Sequence, residues 1–137
     1  MLVENVMSTG VVSVDINDGV VDIARKMQEE NVGFVGIAEN GRLCGVITDR
    51  DIVTKVLTNR TLKAADYMSK NIVSIEKNET VDAALKKMGE HRIKRLIVTE
   101  NGNPVGVLSI SDILTHGSSP LVMETFNKIY TVDKRDR

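Results

Sequence analysis

The sequence predicts a mixed α/β (α+β) protein built from two tandem copies of one β-α-β-β-α unit. Three observations lead to this prediction. The chain matches itself without gaps at an offset of 61 residues, with 17 identities in the 48 positions that align 7–54 with 68–115. Each copy carries a helical pattern of apolar residues. Each copy then has an Asn-Gly turn, at 40–41 and 101–102, between two apolar runs, which is a strong hairpin signal.

The first two elements of each copy are a short strand and an amphipathic helix. The strands are V-V-S-V at 11–14 and I-V-S-I at 72–75. In each helix the apolar residues recur at i, i+3, i+4 and i+7, which predicts one buried face. These residues are Val20, Ile23, Ala24 and Met27 in the first copy, and Val81, Ala84, Leu85 and Met88 in the second. Thr80 is predicted to be the N-cap of the second helix.

A short helix ends each copy after its hairpin, starting at Thr48 or at Ser109. In both copies an aspartate follows three residues later, at Asp51 and Asp112. This spacing is that of a capping box, in which the two side chains satisfy amides at the helix start. A helix cap alone would explain these residues without a ligand. The usual acidic residue of a capping box is Glu, however, so the shorter Asp in both copies suits that explanation less well.

The repeat divides the chain into a first copy at 1–60, a second copy at 61–117 and an extension at 118–137. One copy alone would bury little apolar surface. We therefore expect the copies to pack about a pseudo-twofold axis and share a core. Equivalent loops would then meet, and sites would occur in pairs.

The C-terminal extension contains a further predicted helix, with Ser119 as its N-cap and Pro120 at its first position. Its apolar residues suggest docking onto the body of the protein, with contact to a partner as the alternative. The predicted apolar face consists of Leu121, Met123, Phe126, Ile129 and Tyr130.

Composition excludes several classes of function. The formal net charge is -1 and aromatic residues make up 3% of the chain, so neither a basic field nor a stacking surface for nucleic acid is expected. Apolar runs are of strand length, which argues against a membrane protein. No signal peptide is recognised at the N-terminus, so a cytoplasmic location is expected. Cys44 is the sole cysteine, and His91 and His116 have no ligand cluster nearby, so no metal site is expected.

The duplicated unit, ending in G-h-x-[ST]-x-x-D, resembles the CBS domain pair, also called a Bateman module. The residues that carry the resemblance are G-V-I-T-D-R-D at 45–51 (the first motif) and G-V-L-S-I-S-D at 106–112 (the second motif). Supporting features are the Met-Ser pairs at 7–8 and 68–69 and the stretch R-I-K-R-L-I-V at 92–98. The resemblance implies a regulatory module for adenosine nucleotides (AMP, ADP or ATP) or, in some members, S-adenosylmethionine, with no cofactor required.

The resemblance also implies roles for particular residues. Each motif aspartate, Asp51 or Asp112, would accept hydrogen bonds from the ribose hydroxyls, and Thr48 or Ser109 would face the phosphate. The two clefts implied draw residues from both copies. The first comprises Val46, Thr48, Arg50, Asp51, Lys94 and Arg95, and the second Val107, Ser109, Ser111, Asp112, Gly33 and Phe34.

Charge distinguishes the two predicted clefts. Lys94 and Arg95 stand where the gamma subunit of AMP-activated kinase has a basic pair that contacts phosphate, whereas the equivalent Gly33 and Phe34 are uncharged. We therefore expect tighter and more salt-sensitive nucleotide binding at Asp51. The alternative for Lys94 and Arg95 is an exposed polar strand start without a ligand.

The function expected from the resemblance is a stand-alone, non-enzymatic sensor that acts on a separate effector protein and forms a homodimer. One alternative is a structural scaffold whose clefts bind nothing. Another is a sensor of a different adenosyl ligand, of the S-adenosylmethionine or NAD type. A nucleotide-hydrolysing enzyme is a third possibility, although no nucleophile–base pair, phosphate-binding loop or metal-ligand set is recognised in the sequence.

Overall fold

The computed structural model describes residues 1–59, 63–116 and 121–130. The chain forms two units. One is continuous in sequence, Val11–Ile72, and is called the contiguous unit here. The other combines Met1–Gly10 with Val73–Arg137 and is called the composite unit.

Both copies contain the predicted element order, which confirms the mixed α/β fold class. In chain order the elements are β1 (Ser8–Thr9), β2 (Ser13–Asp15), α1 (Val20–Glu30), β3 (Phe34–Glu39), β4 (Arg42–Thr48), α2 (Asp49–Asp51), α3 (Leu57–Asn59), β5 (Ser74–Glu76), α4 (Val81–His91), β6 (Arg95–Glu100), β7 (Asn103–Ser109), α5 (Ile110–His116) and α6 (Leu121–Tyr130). A π-helical turn at Ile52–Val56 joins α2 to α3.

Each unit has its own sheet. The contiguous unit has the strand order β2-β3-β4, and the composite unit has β1-β7-β6-β5. In both, the central hairpin is antiparallel and the strand that precedes the helix pairs parallel to it. Asn40-Gly41 and Asn101-Gly102 all have positive φ, as a two-residue hairpin turn requires, so the predicted hairpins are confirmed.

The strands that precede the two long helices, β2 and β5, begin two residues later than predicted, at Ser13 and Ser74. The pairing itself starts earlier, because Gly36 donates its amide to the carbonyl of Val12 at 2.8 Å. Ile97 likewise donates to Val73 at 3.1 Å. The extended conformation was therefore predicted at the right place, and only the formal strand bounds differ.

The two long helices, α1 and α4, differ in how many of their predicted apolar residues are buried. In α4 all four predicted residues are buried, and in α1 Ile23 and Met27 are buried. Ala24, predicted to lie on the buried face, is exposed. Its equivalent Leu85 is buried because α6 packs against α4 and covers that side. Within the described part of the contiguous unit, no such helix covers α1.

The C-terminal helix α6 docks on α4, as the first interpretation of the extension predicted. Thr125 is buried and donates its hydroxyl to the carbonyl of Leu85 at 3.2 Å. The predicted apolar face is wrong in part, because Val122 is buried whereas Met123 and Tyr130 are exposed. Leu121, Val122 and Met123 are three consecutive apolar residues, so either side of this short helix could be the apolar face. Ser119 and Pro120 lie outside the described residues.

The segment that precedes each copy packs on the unit that contains the other copy. In the composite unit, β1 pairs antiparallel with β7, and Val3 and Val6 are buried in its core. In the contiguous unit, Ala64 and Tyr67 are buried in the same way. The predicted boundaries at 1–60 and 61–117 follow the sequence period, whereas the packed units divide the chain after Gly10 and after Ile72.

An exposed ion-pair network also holds the N-terminal segment in the composite unit. Lys77 pairs with Glu100 at 2.8 Å and with Glu4 at 3.9 Å. The hydrogen bond to Glu100 is the main cause that raises the pKa of Lys77, and the charge of Glu4 acts in the same direction.

Candidate functional site

The first motif places Thr48 and Asp51 in a reciprocal helix cap. Asp51 donates its amide to the Thr48 hydroxyl oxygen at 3.2 Å, and Asp51 Oδ2 accepts the Thr48 amide at 3.0 Å. The Thr48 hydroxyl also donates to Oδ2 at 3.0 Å. One carboxylate oxygen is thus committed to the cap, which confirms the predicted capping box. This leaves Oδ1 as the oxygen that can face outward.

Lys55 contacts that outward oxygen. Its Nζ lies 3.2 Å from Asp51 Oδ1, one helical turn further along the chain. The Lys55 side chain is half exposed, and such ion pairs contribute little free energy. A ligand that bonds more strongly to Oδ1 can therefore displace Lys55. The sequence contains the signal for this pair, an Asp and a Lys at i and i+4, but this pair was missed in the sequence-based prediction.

The second motif repeats the cap with one difference. Asp112 Oδ2 accepts the Ser109 amide at 2.9 Å, and Asp112 donates its amide to Ser109 Oγ at 3.1 Å. The Ser109 hydroxyl lies 2.8 Å from that of Ser111. Within the described residues, Oδ1 of Asp112 has no ion-pair or hydrogen-bond partner. The position equivalent to Lys55 is His116, whose Nδ1 lies 2.8 Å from the Asp112 carbonyl oxygen.

The glycine of each motif is required by a close backbone approach. A Cβ at Gly106 would overlap with the carbonyl oxygen of Ser8 in β1. A Cβ at Gly45 would lie 2.6 Å from Met68 Sδ and 3.0 Å from the Ser69 carbonyl oxygen. The repeated Met-Ser pairs therefore lie over the motif glycines, which explains why they recur in both copies.

Strand register places the residues before each hairpin beside the motif of the same unit. Phe34 is paired with Thr48, and Arg95 is paired with Ser109. Gly33 and Lys94, one residue earlier, accept the amides of Asp49 and Ile110 through their carbonyl oxygens, both at 2.9 Å. The predicted clefts combine residues of different units, and these assignments stay predictions.

Lys94, predicted to contact phosphate, is exposed and lies near the end of α6. Its Nζ is 5.9 Å from the centre of the Tyr130 ring, within the range of a cation–π interaction. Tyr130 in turn packs on Phe126, with ring centres 4.3 Å apart. A phosphate that binds Lys94 would therefore compete with an aromatic contact. No pattern in the sequence links these residues.

A cavity of about 350 Å³ lies elsewhere in the contiguous unit, between β2, α1 and β3. No motif residue lines it. Its lining is mainly charged and consists of Ser13, Val14, Asp15, Asp18, Asp22, Arg25, Lys26, Glu29 and Ala38. This depression therefore does not coincide with either motif.

Within 1–59, 63–116 and 121–130, no group of three or more His, Cys, Asp or Glu side chains is placed to hold a metal ion. In the same ranges, none of the helices combines the length and the hydropathy needed to cross a membrane.

Replacing Thr48 by alanine is expected to lower the free energy of unfolding by about 1 kcal/mol, because the helix loses its N-cap hydroxyl. Thr48→Ser, which keeps the hydroxyl, serves as the matched control and should change stability little. Urea denaturation of the two variants measures the difference. Equal stability of Thr48→Ala and wild type would show that the cap hydroxyl contributes nothing.

Comparison with known proteins supports the resemblance seen in the sequence. The family model described as "CBS domain" matches the chain twice, at residues 3–58 and 64–119. The CBS domain-containing protein YhcV of Bacillus subtilis is 30% identical over 120 residues, which span 85% of this chain and 86% of that protein. Hypoxic response protein 1 of Mycobacterium tuberculosis is 30% identical over 117 residues, covering 82% of each chain.

Solved structures have the same fold. The CBS domain pair of protein MJ0100, in complex with 5′-methylthioadenosine and S-adenosyl-L-methionine, gives a TM-score of 0.79 at 24% identity, covering 85% of this chain and 94% of that one. Hypoxic response protein I, with two coordinated zinc ions, gives a TM-score of 0.75 at 28% identity and covers 86% and 100%. With two matches to one family model in a single chain, this protein belongs to the CBS domain family, as a domain pair that forms a regulatory ligand-binding module.

Proposed function

We propose that this CBS domain pair binds adenosine nucleotides, AMP, ADP or ATP, and transmits their occupancy to a separate effector protein. The ligand is regulatory, and the module itself catalyses no reaction. The effector is reached from a homodimer in the cytoplasm. Size-exclusion chromatography with light scattering tests the homodimer independently of any ligand.

The observation that carries the proposal is the repeated placement of a carboxylate by a helix cap. In both motifs, Oδ2 of the aspartate is held by the amide three residues earlier, at 3.0 Å for Asp51 and 2.9 Å for Asp112. A carboxylate has about four lone-pair sites, so the cap leaves acceptor capacity on Oδ1. Two adjacent ribose hydroxyls need such a fixed acceptor.

The structure of the MJ0100 domain pair with two adenosyl compounds supports the choice of ligand class. Its identity to this chain is 24%, a likeness that by itself establishes the fold. The adenosyl ligand is therefore part of our proposal for this protein. Within that class, the basic residues Lys94 and Arg95 are the reason for choosing nucleotides with a phosphate over uncharged adenosyl compounds.

Substitution of the motif aspartates tests the proposal. A ligand that binds the folded state raises the melting temperature by mass action, so AMP, ADP or ATP should stabilise the wild-type chain. Asp51→Asn should weaken nucleotide binding about tenfold or more, since an amide replaces a charged hydrogen-bond acceptor. Asp112→Asn should have the smaller effect. Titration calorimetry at two salt concentrations measures both affinities and their salt dependence.

Asp66→Asn provides the control, because it removes the same charge from an exposed residue of the contiguous unit. Loss of binding in Asp112→Asn with retention in Asp51→Asn would reverse the proposed order of the sites. Failure of AMP, ADP, ATP, NAD and S-adenosylmethionine to shift the melting temperature at millimolar concentration would reject ligand sensing.

A scaffold without a ligand is the second candidate. One observation favours it: Asp51 already accepts hydrogen bonds from Thr48 and an ion pair from Lys55. In that case both motifs would serve only as helix caps. The absence of any ligand-induced stabilisation, together with an intact dimer, is the result that this candidate predicts.

A further inference from the structure

The first motif carries a negatively charged side chain that the second motif lacks. Asp49 Oδ1 accepts the amide of Arg50 at 2.9 Å. Its Oδ2 lies over Gly33, where a Cβ would be only 2.6 Å away. The Asp49 carboxylate therefore fills the space beside the Thr48 cap and uses an amide at the helix start.

The positions of the second copy that are equivalent to Gly33 and Asp49 carry no negative charge. Lys94 stands in place of Gly33, and Ile110 stands in place of Asp49. The backbone is the same at both places, since Asp49 donates its amide to Gly33 and Ile110 donates to Lys94, both at 2.9 Å. Ile110 is buried and uncharged. The difference between the motifs thus lies in the side chains alone, an anion in one and a cation with an apolar residue in the other.

A carboxylate at this position opposes a phosphate in two ways. It accepts the Arg50 amide, a donor that a phosphate oxygen would otherwise use. It also repels negative charge at short range, and the repulsion increases with the charge of the ligand. The other charged side chains of this segment are Arg50, Asp51 and Lys55. Their formal charges together with that of Asp49 sum to zero, so removal of Asp49 leaves the segment positive.

We propose that Asp49 is a specificity-determining residue that lowers the affinity of the first motif for the phosphate groups of a nucleotide. This inference rests on the proposed function, because it concerns how the motif distinguishes between adenosyl ligands. Asp49 disfavours phosphorylated ligands relative to adenosine, and the penalty grows from AMP to ATP.

Asp49→Asn tests the proposal with little change of shape, because an asparagine keeps an oxygen that can accept the Arg50 amide. Calorimetric titration with adenosine, AMP and ATP should show unchanged affinity for adenosine. AMP should bind about fivefold more tightly, the size expected for removal of an exposed like charge near a doubly charged group. ATP should gain more than AMP, and both gains should shrink at high salt.

Two further variants separate charge from packing. Asp49→Glu keeps the charge and should retain the wild-type preference among the three ligands. Asp66→Asn removes a charge elsewhere in the contiguous unit and should also retain that preference. If Asp49→Asn leaves the affinity ratios of adenosine, AMP and ATP at their wild-type values, the role of Asp49 is rejected while the proposed function stands. If the wild-type chain binds none of the three, the proposed function fails and this inference fails with it.

Discussion

Replacing Gly106 by alanine is expected to lower the free energy of unfolding by about 2–3 kcal/mol, the upper part of the range for inserting a methyl group into a packed site. The added Cβ would overlap with the carbonyl oxygen of Ser8, a backbone atom that cannot rotate away. Relief requires β1 to move off β7, which would also expose Val3 and Val6. The effect therefore combines overpacking with partial loss of the N-terminal segment.

Gly45→Ala is the matched variant in the other copy. The atom nearest to its Cβ is Met68 Sδ, at 2.6 Å, and a methionine side chain can adopt another rotamer. We expect a smaller loss of stability for Gly45→Ala than for Gly106→Ala. Urea denaturation gives both values, and hydrogen exchange at Gly10, whose amide donates to the Val105 carbonyl oxygen at 2.8 Å, reports whether β1 has separated. Equal losses would contradict the proposed role of the Ser8 carbonyl oxygen.

Two fragments of similar length are expected to differ in their ability to fold. Residues 11–72 include the whole contiguous unit, with the buried Ala64 and Tyr67. Residues 1–60 contain the complete first sequence repeat but lack these side chains, so the core around Val56 would be open. We expect a cooperative thermal transition for 11–72 and none for 1–60.

Circular dichroism during heating measures this difference, and fluorescence of a hydrophobic dye reports exposed core surface. A third fragment, 1–72, is the control for chain length, since it adds the N-terminal segment to the contiguous unit. It should melt cooperatively, like 11–72. Cooperative folding of 1–60 would show that the segment containing Ala64 and Tyr67 is dispensable.

The sequence was sufficient to predict the parts of the fold that depend on neighbouring residues. The Asn-Gly turns and the Thr80 cap are local patterns, and both are confirmed. Helix periodicity placed α1 and α4 correctly, but it assigned some residues to the wrong face. The exchange of N-terminal segments was not predicted, because β1 has only two residues and pairs with Gly106 and Val107 far along the chain. The exposure of Ala24 was missed for a related reason, since burial on α4 depends on the distant helix α6.

In the candidate site, too, contacts between neighbouring residues were predicted and contacts between distant residues were not. Both capping boxes were predicted, because their partners are three residues apart. The contact of Lys94 with Tyr130 joins residues of two distant elements, and no periodicity points to it. Asp49 is adjacent to the predicted Thr48, but its position over Gly33 follows from the β3–β4 hairpin. The sequence identified the chemical groups, and the structure added the neighbours that compete for them.

The pairing of β1 with β7 has a consequence for the order in which the protein is made and folds. On the ribosome, residues 1–10 emerge before the contiguous unit, yet their partners around residue 107 are made almost a hundred residues later. The contiguous unit can assemble in the meantime from a continuous stretch of chain. Val3 and Val6 cannot reach their place in the core of the composite unit until β7 has been synthesised. Closure of so long a loop is slow, which makes this short segment the point where aggregation or chaperone binding would compete with folding.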